Sequence, residues 1–217
     1  MHGAYGFVGE LFKSEQETFA PYKKEADLNE NQQRLKFNDH VVYGDLYKDW
    51  TPFKHPMYGD IEIGGWKKMS TRLPHPFMLT DLVHRNAAAV LFTAAETPEI
   101  KIEVTKQESI GNNLYRINVQ ISNQGMIPSM TQTSVSEKIH PMDMLTLTGK
   151  KVIAAGKVMN IYNNQVLFTE HKPELQFLFV PGNGKTDYQF IVEGKGKITL
   201  NYKGKKAKST ELEYVIN

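Results

Sequence analysis

A chain of 217 residues, 40% hydrophobic and 23% charged, can bury a core as one large domain or as two small ones. Its formal net charge of +2 is not the concentrated basic surface that nucleic-acid binding needs, and no apolar run approaches the ~20 residues that span a bilayer. The absence of cysteine excludes disulfides, thiolate zinc sites and cysteine nucleophiles together.

The opening residues show none of the basic start, apolar middle and small-residue cleavage site of a signal peptide. Ala4–Val8 reads instead as a short strand, and Glu10 follows it beside Phe7, Val8 and Leu11. Apolar neighbours that desolvate a carboxylate raise its affinity for a proton, which suits a general base. Any single glutamate is more often a solvated surface group. Leu28–Leu35 is polar and rich in helix formers, and it runs into Phe37–Val42 as one short amphipathic helix. Asp49–Gly65 reads as a loop, because Pro52, Pro56, Gly59, Gly64 and Gly65 punctuate it. Its aromatic residues Tyr43, Tyr47, Trp50, Phe53, Tyr58 and Trp66 are expected to pin that loop to a core, with stacking on sugars as the alternative. Glu62 has no partner that the sequence identifies.

The clearest helix spans about 76–96. Phe77, Leu79, Leu82, Val83, Ala87, Val90, Leu91 and Ala94 recur at helical spacing between Pro76 and Pro98. Beyond Pro98 the period changes to two. Ile100–Val104, Leu114–Ile121, Leu145–Leu147, Val152–Val158, Val166–Thr169, Leu175–Val180, Tyr188–Val192, Lys197–Tyr202 and Glu211–Ile216 all read as strands, with glycine- and asparagine-rich turns between them. Short alternating strands at this spacing predict a mainly β protein: an antiparallel β-sandwich of immunoglobulin-like or transthyretin-like type, preceded by a helical, loop-rich extension. The helix is expected to pack on the sandwich.

Several motifs need weighing. His171-Lys-Pro-Glu174 has the spacing of a zinc-ligand pair, but Pro173 interrupts it and no third ligand is near in sequence. His140-Pro-Met-Asp143 fails in the same way, and the seven histidines are dispersed. Gly182-Asn-Gly-Lys-Thr186 looks superficially like a phosphate loop. It has Phe179 where the first glycine should stand and a strand where a helix should follow, so it reads as a turn. Lys195, Lys197, Lys203, Lys205, Lys206 and Lys208 crowd a late hairpin, where lysine on an edge strand would prevent sheet-to-sheet association.

Three segments carry a family resemblance: Tyr5-Gly-Phe-Val-Gly-Glu-Leu-Phe12, Trp50-Thr-Pro-Phe-Lys-His-Pro-Met-Tyr-Gly-Asp-Ile-Glu-Ile-Gly-Gly-Trp66, and His84-Arg-Asn-Ala87 together with Pro98-Glu-Ile-Lys-Ile102. In order, they resemble the closing strand, the linker and the appended module of bacterial zinc carboxypeptidase-like proteins of the M14 family, in the large form with a β-sandwich after the catalytic domain. The resemblance implies that Glu10 matches the family's catalytic base. It also implies a zinc held in the parent enzyme by an H-x-x-E pair and a later histidine, all preceding that glutamate in chain order. Only nine residues precede Glu10, so the zinc ligands are missing from this chain and the chain alone is expected to be inactive, with no cofactor of its own.

The implied organisation is a remnant of the catalytic domain at 1–20, a linker and helical segment at 21–97, and a β-sandwich accessory domain at 98–217. The implied role is to stabilise the protease domain or assist substrate binding. A stand-alone carbohydrate- or peptide-binding module is the alternative. The partners to expect are an upstream carboxypeptidase domain, a peptide or glycan, or a second copy in a homodimer. Neither nucleic acid nor membrane is expected. Proteins of the parent family act in the periplasm or are secreted.

Overall fold

The computed structural model describes residues 5–7, 9, 28–70 and 72–217. They fall into two compact units that divide between Val90 and Leu91, with Tyr5 and Gly6 joining the second. Glu10, and with it most of the 1–20 segment, lies outside the described residues.

In the first unit, α1 (Glu30–His40) starts at a capping box. The Asn29 side chain accepts from the Gln32 amide at 2.9 Å, and the Gln32 side chain accepts from the Asn29 amide at 2.9 Å. Two otherwise orphaned amides are thereby satisfied. Phe37 and Val42 are the buried apolar residues of this segment.

The expected loop at Asp49–Gly65 is in fact a hairpin, β1 (Tyr47–His55) with β2 (Gly59–Trp66). The residues taken for loop punctuation have specific places in it. Pro52 pairs with Glu62 in a ribbon of only two strands, where each strand has an open side that tolerates a missing N–H. Gly64 lies beside the register shift between Lys48 and Thr51, where a Cβ would come within 2.6 Å of the Trp50 backbone. Tyr47 and Trp66 meet edge to face at 5.2 Å, and the Arg34 guanidinium sits 3.7 Å above the Trp66 ring. The expected pinning therefore holds for Tyr47 and Trp66, whereas Tyr43, Trp50, Phe53 and Tyr58 are exposed.

Helix α2 (Pro76–Ala95) matches the periodicity. It begins on a proline whose missing N–H has no intrahelical partner to lose, and it stops short of Pro98. Asp81 and Arg85 pair one turn apart. No residue of α2 is buried.

The second unit is an antiparallel β-sandwich. Its four-stranded sheet runs β11-β10-β5-β8 and its five-stranded sheet runs β3-β4-β9-β6-β7. The strands are β3 (Ile100–Gly111), β4 (Leu114–Asn123), β5 (Asp143–Thr148), β6 (Lys151–Asn160), β7 (Gln165–Phe168), β8 (Leu175–Leu178), β9 (Lys185–Glu193), β10 (Gly196–Lys203) and β11 (Thr210–Ile216). Each expected strand after Pro98 is present. β4 alternates without a break, and Tyr115, Ile117, Val119 and Ile121 point into the core. Across the register Ile117 faces Phe190 and Val119 faces Tyr188. Ile198, Leu200 and Tyr202 of β10 and Leu145 and Leu147 of β5 supply the opposite layer. Each of these side chains gains about 1.5–3 kcal/mol by leaving water.

The β3–β4 turn uses Asn112 and Asn113 at φ 51° and 59°, the left-handed pair that a tight hairpin requires. The lysine-rich hairpin departs from expectation. β10 is an interior strand flanked by β11 and β5, so its lysines protect no sheet edge. Lys197 instead pairs with Glu213 of β11 at 2.6 Å.

Candidate binding surfaces

The two sheets of the sandwich are unequal, and the inequality leaves a groove. Tyr188 of β9 donates its phenolic proton to the Phe177 carbonyl of β8 at 3.0 Å, so β8 lies over β9. In the register, Tyr188, Lys157 and Leu167 form one row across β9, β6 and β7. Tyr188 is buried, Lys157 is exposed, and Leu167 is 66% exposed. The inward face of the five-stranded sheet therefore runs on past the edge of its partner. β7 and β8 are end strands of their sheets, and a groove of about 610 Å³ lies beside them. Leu167, Phe168, Leu175 and Phe177 give it apolar walls, and Lys157, His171 and Lys172 line it with Thr169 and Gln176. Gln176 is buried and held by its own bonds: its amide donates to the Pro173 carbonyl at 2.9 Å, and its oxygen accepts from the Thr169 hydroxyl at 2.9 Å. Burial pushes the Tyr188 phenol up to about 12.

A buried polar cluster lies elsewhere in the same unit. Tyr202 donates to Asp143 Oδ2 at 2.7 Å, while Asp143 Oδ1 and His140 Nε2 are buried with no hydrogen-bond partner among the described residues. Ser129 joins β8's continuation to this cluster, since its hydroxyl accepts from the Val180 amide at 3.0 Å. Burial drives the Tyr202 phenol far above its ordinary value, and the hydrogen bond and charge of Asp143 add to that rise. Tyr5 approaches here as well. Its hydroxyl donates to the Pro128 carbonyl at 2.5 Å, and burial, with the Asp143 charge behind it, raises its proton affinity. These hydrogen bonds tie β10 to β5, Val180 to Ser129, and Tyr5 to Pro128.

The hairpin of the first unit offers a shallower surface. A depression of about 550 Å³ is lined by Lys48, Asp49, Thr51, Ile63, Gly64 and Gly65, among others. Gly65, beside the Trp50 ring, holds φ +94°, a backbone conformation that favours glycine.

The sequence-based candidates are now placed. His171 and Glu174 are both exposed at the turn before β8, where the Glu174 carbonyl accepts from the Leu147 amide at 2.9 Å. Among the described residues no group of three or more histidine, aspartate or glutamate side chains is placed to hold a metal ion. Gly182–Thr186 is a turn leading into β9, as expected. A Cβ at Gly182 would lie 1.7 Å from the Met126 carbonyl oxygen, so close backbone approach accounts for that glycine without any phosphate. The groove was not anticipated. The available signal was apolar residues on both faces of two very short strands, Val166-Leu-Phe168 and Leu175-Gln-Phe-Leu178.

Fold and surfaces together define a β-sandwich module with an open groove at one margin. The sequence model of the family described as Domain of unknown function (DUF8731) matches residues 99–215, and the chain belongs to that family. No curated protein matches it. Among solved structures, a conjugative transposon lipoprotein from Bacteroides eggerthii is 12% identical with a TM-score of 0.30, covering 54% of this chain and 96% of that one. A conjugate transposon protein from Bacteroides vulgatus is 16% identical with a TM-score of 0.32, covering 55% and 84%. The archaeal flagellum of Methanospirillum hungatei is 11% identical with a TM-score of 0.27, covering 65% and 85%. Likenesses of this size carry no argument about what the chain does.

Proposed function

We propose that the chain is the non-catalytic C-terminal accessory region of an M14-like zinc metallocarboxypeptidase, stabilising the protease domain or assisting its hold on substrate. The observation that carries this is α2, a helix rich in apolar residues of which none is buried. Val90 is 69% and Leu91 70% exposed. A helix this apolar is stable in water only when something covers it, and the resemblance supplies a catalytic domain as the cover. Zinc and the peptidase reaction belong in this reading to the parent enzyme, and Glu10 matches its base by position.

The test is co-purification. The Val90→Asp and Leu91→Asp variants should leave the sandwich folded by circular dichroism and abolish association with the catalytic domain encoded in the same frame. An upstream frame without H-x-x-E, or association that survives both substitutions, would refute the reading. The aromatic hairpin favours a second reading, a stand-alone glycan-binding module in which exposed Trp50 stacks on a sugar ring. A glycan array on which Trp50→Ala binds as the parent chain does would dismiss it.

A further inference from the structure

We infer that the margin between β7 and β8 is a docking site for an extended acidic peptide, which pairs with β8 as a fifth strand of the four-stranded sheet. This rests on the groove alone and is independent of the carboxypeptidase reading.

A sheet of five strands faces a sheet of four, and the bond from Tyr188 to the Phe177 carbonyl fixes which side is short. A strand laid about 4.8 Å beyond β8 would sit over the inward-facing row that Leu167 and Lys157 continue outward. Among the described residues β8 pairs as a strand with β5 alone. In an antiparallel pair every second residue turns its backbone groups away from the partner, and on β8 these are Leu175 and Phe177. The Leu175 amide is already bonded to the Lys172 carbonyl and the Phe177 carbonyl to the Tyr188 hydroxyl, so the Leu175 carbonyl and the Phe177 amide are the groups left to an added strand. The usual protections are weak here. β8 reads Leu-Gln-Phe-Leu, with neither proline nor charge, and Phe177 stands 57% exposed beside it. Its safeguards are its shortness and those two bonds within the chain.

Charge selects the occupant. Lys157, His171 and Lys172 line the groove, and among the described residues no carboxylate does. Main-chain bonds supply affinity in strand addition, while side-chain pockets and charge supply selectivity. The partner is therefore an extended segment alternating apolar residues with aspartate or glutamate, its apolar side chains resting on Leu167.

A fluorescein-labelled Val-Glu-Val-Glu-Val-Glu peptide, titrated into the full chain and read by fluorescence polarisation, tests this. Binding is expected with a Kd below ~1 mM. The lysine counterpart and a backbone N-methylated glutamate peptide should each bind at least about tenfold more weakly, since one reverses the charge and the other removes the donors of the ladder. Amide shifts should centre on Gln165–Leu178. The exposed double variant Lys157→Glu/Lys172→Glu should keep its fold by circular dichroism and prefer the lysine peptide. Equal binding of both peptides, unaffected binding of the N-methylated one, or no binding would overturn the inference. So would sedimentation showing the margin closed by a second copy of the chain.

Discussion

Tyr188 stands at the junction of core, groove and sheet edge, and replacing it with phenylalanine separates two effects of one hydroxyl. At neutral pH the Tyr188→Phe variant loses the 3.0 Å bond to the Phe177 carbonyl, a net loss of about 1 kcal/mol. The ionisation works in the opposite direction at high pH. Burial holds the folded phenol's pKa near 12, against an unperturbed value of about 10 in the unfolded chain. Below pH ~10 both states keep the proton and the stabilisation is complete. Between about 10 and 12 the unfolded chain releases its proton first, so stability falls as pH rises, by a total of about 2.7 kcal/mol for two pH units. Phenylalanine has no such dependence. The parent chain should therefore be more stable than the variant by about 1 kcal/mol at pH 8 and less stable by about 1 at pH 12, where half of the folded phenol has ionised as well, crossing near pH 11. Urea titrations followed by circular dichroism across this range, with tyrosinate absorbance recorded in parallel, measure both limbs. Tyr202 is common to both proteins, so its own loss cancels in the difference. Curves that remain parallel from pH 10 to 12 would refute the assignment of a buried, proton-holding phenol at this position.

Three other substitutions probe the elements that position the groove and the hairpin. Gly182→Ala should cost about 2–3 kcal/mol in urea unfolding, because its Cβ would overlap the Met126 carbonyl oxygen and the loop must give way. Asn123→Ala should cost about 3 kcal/mol. That buried side chain accepts from the Glu99 and Gly125 amides at 3.1 Å each and donates to the Ile127 carbonyl at 2.8 Å, and loss of protection should appear by hydrogen exchange at those amides. Arg34→Lys should cost about 1 kcal/mol through the lost guanidinium–indole contact and shift tryptophan emission to the red as Trp66 loosens.

Much of the sandwich was legible before any coordinates. In β4 the apolar residues Tyr115, Ile117, Val119 and Ile121 alternate with polar ones, and a pleated strand with one face on a core has no other way to satisfy that pattern. α2 was equally plain between its prolines. The β1–β2 hairpin was not, because Pro52, Gly59 and Gly64 carry the same letters in a loop as in an edge strand, a tight turn and a bulge. Only pairing with a partner strand tells these apart. The lysine hairpin misled for a related reason: strand order decides what is an edge, and β10 acquires β5 as a neighbour from about fifty residues upstream.

What the sequence determined by itself, then, is local period and the polarity of each face. Those follow from the geometry of one strand or helix and need no knowledge of neighbours. Tertiary structure alone decided which strands end each sheet and that five strands face four. It also decided that Leu167 and Lys157 continue a core-facing row past the margin where Tyr188 is covered. The groove exists because two sheets of different width were brought together, and sheet width is a property of long-range pairing that no single segment encodes.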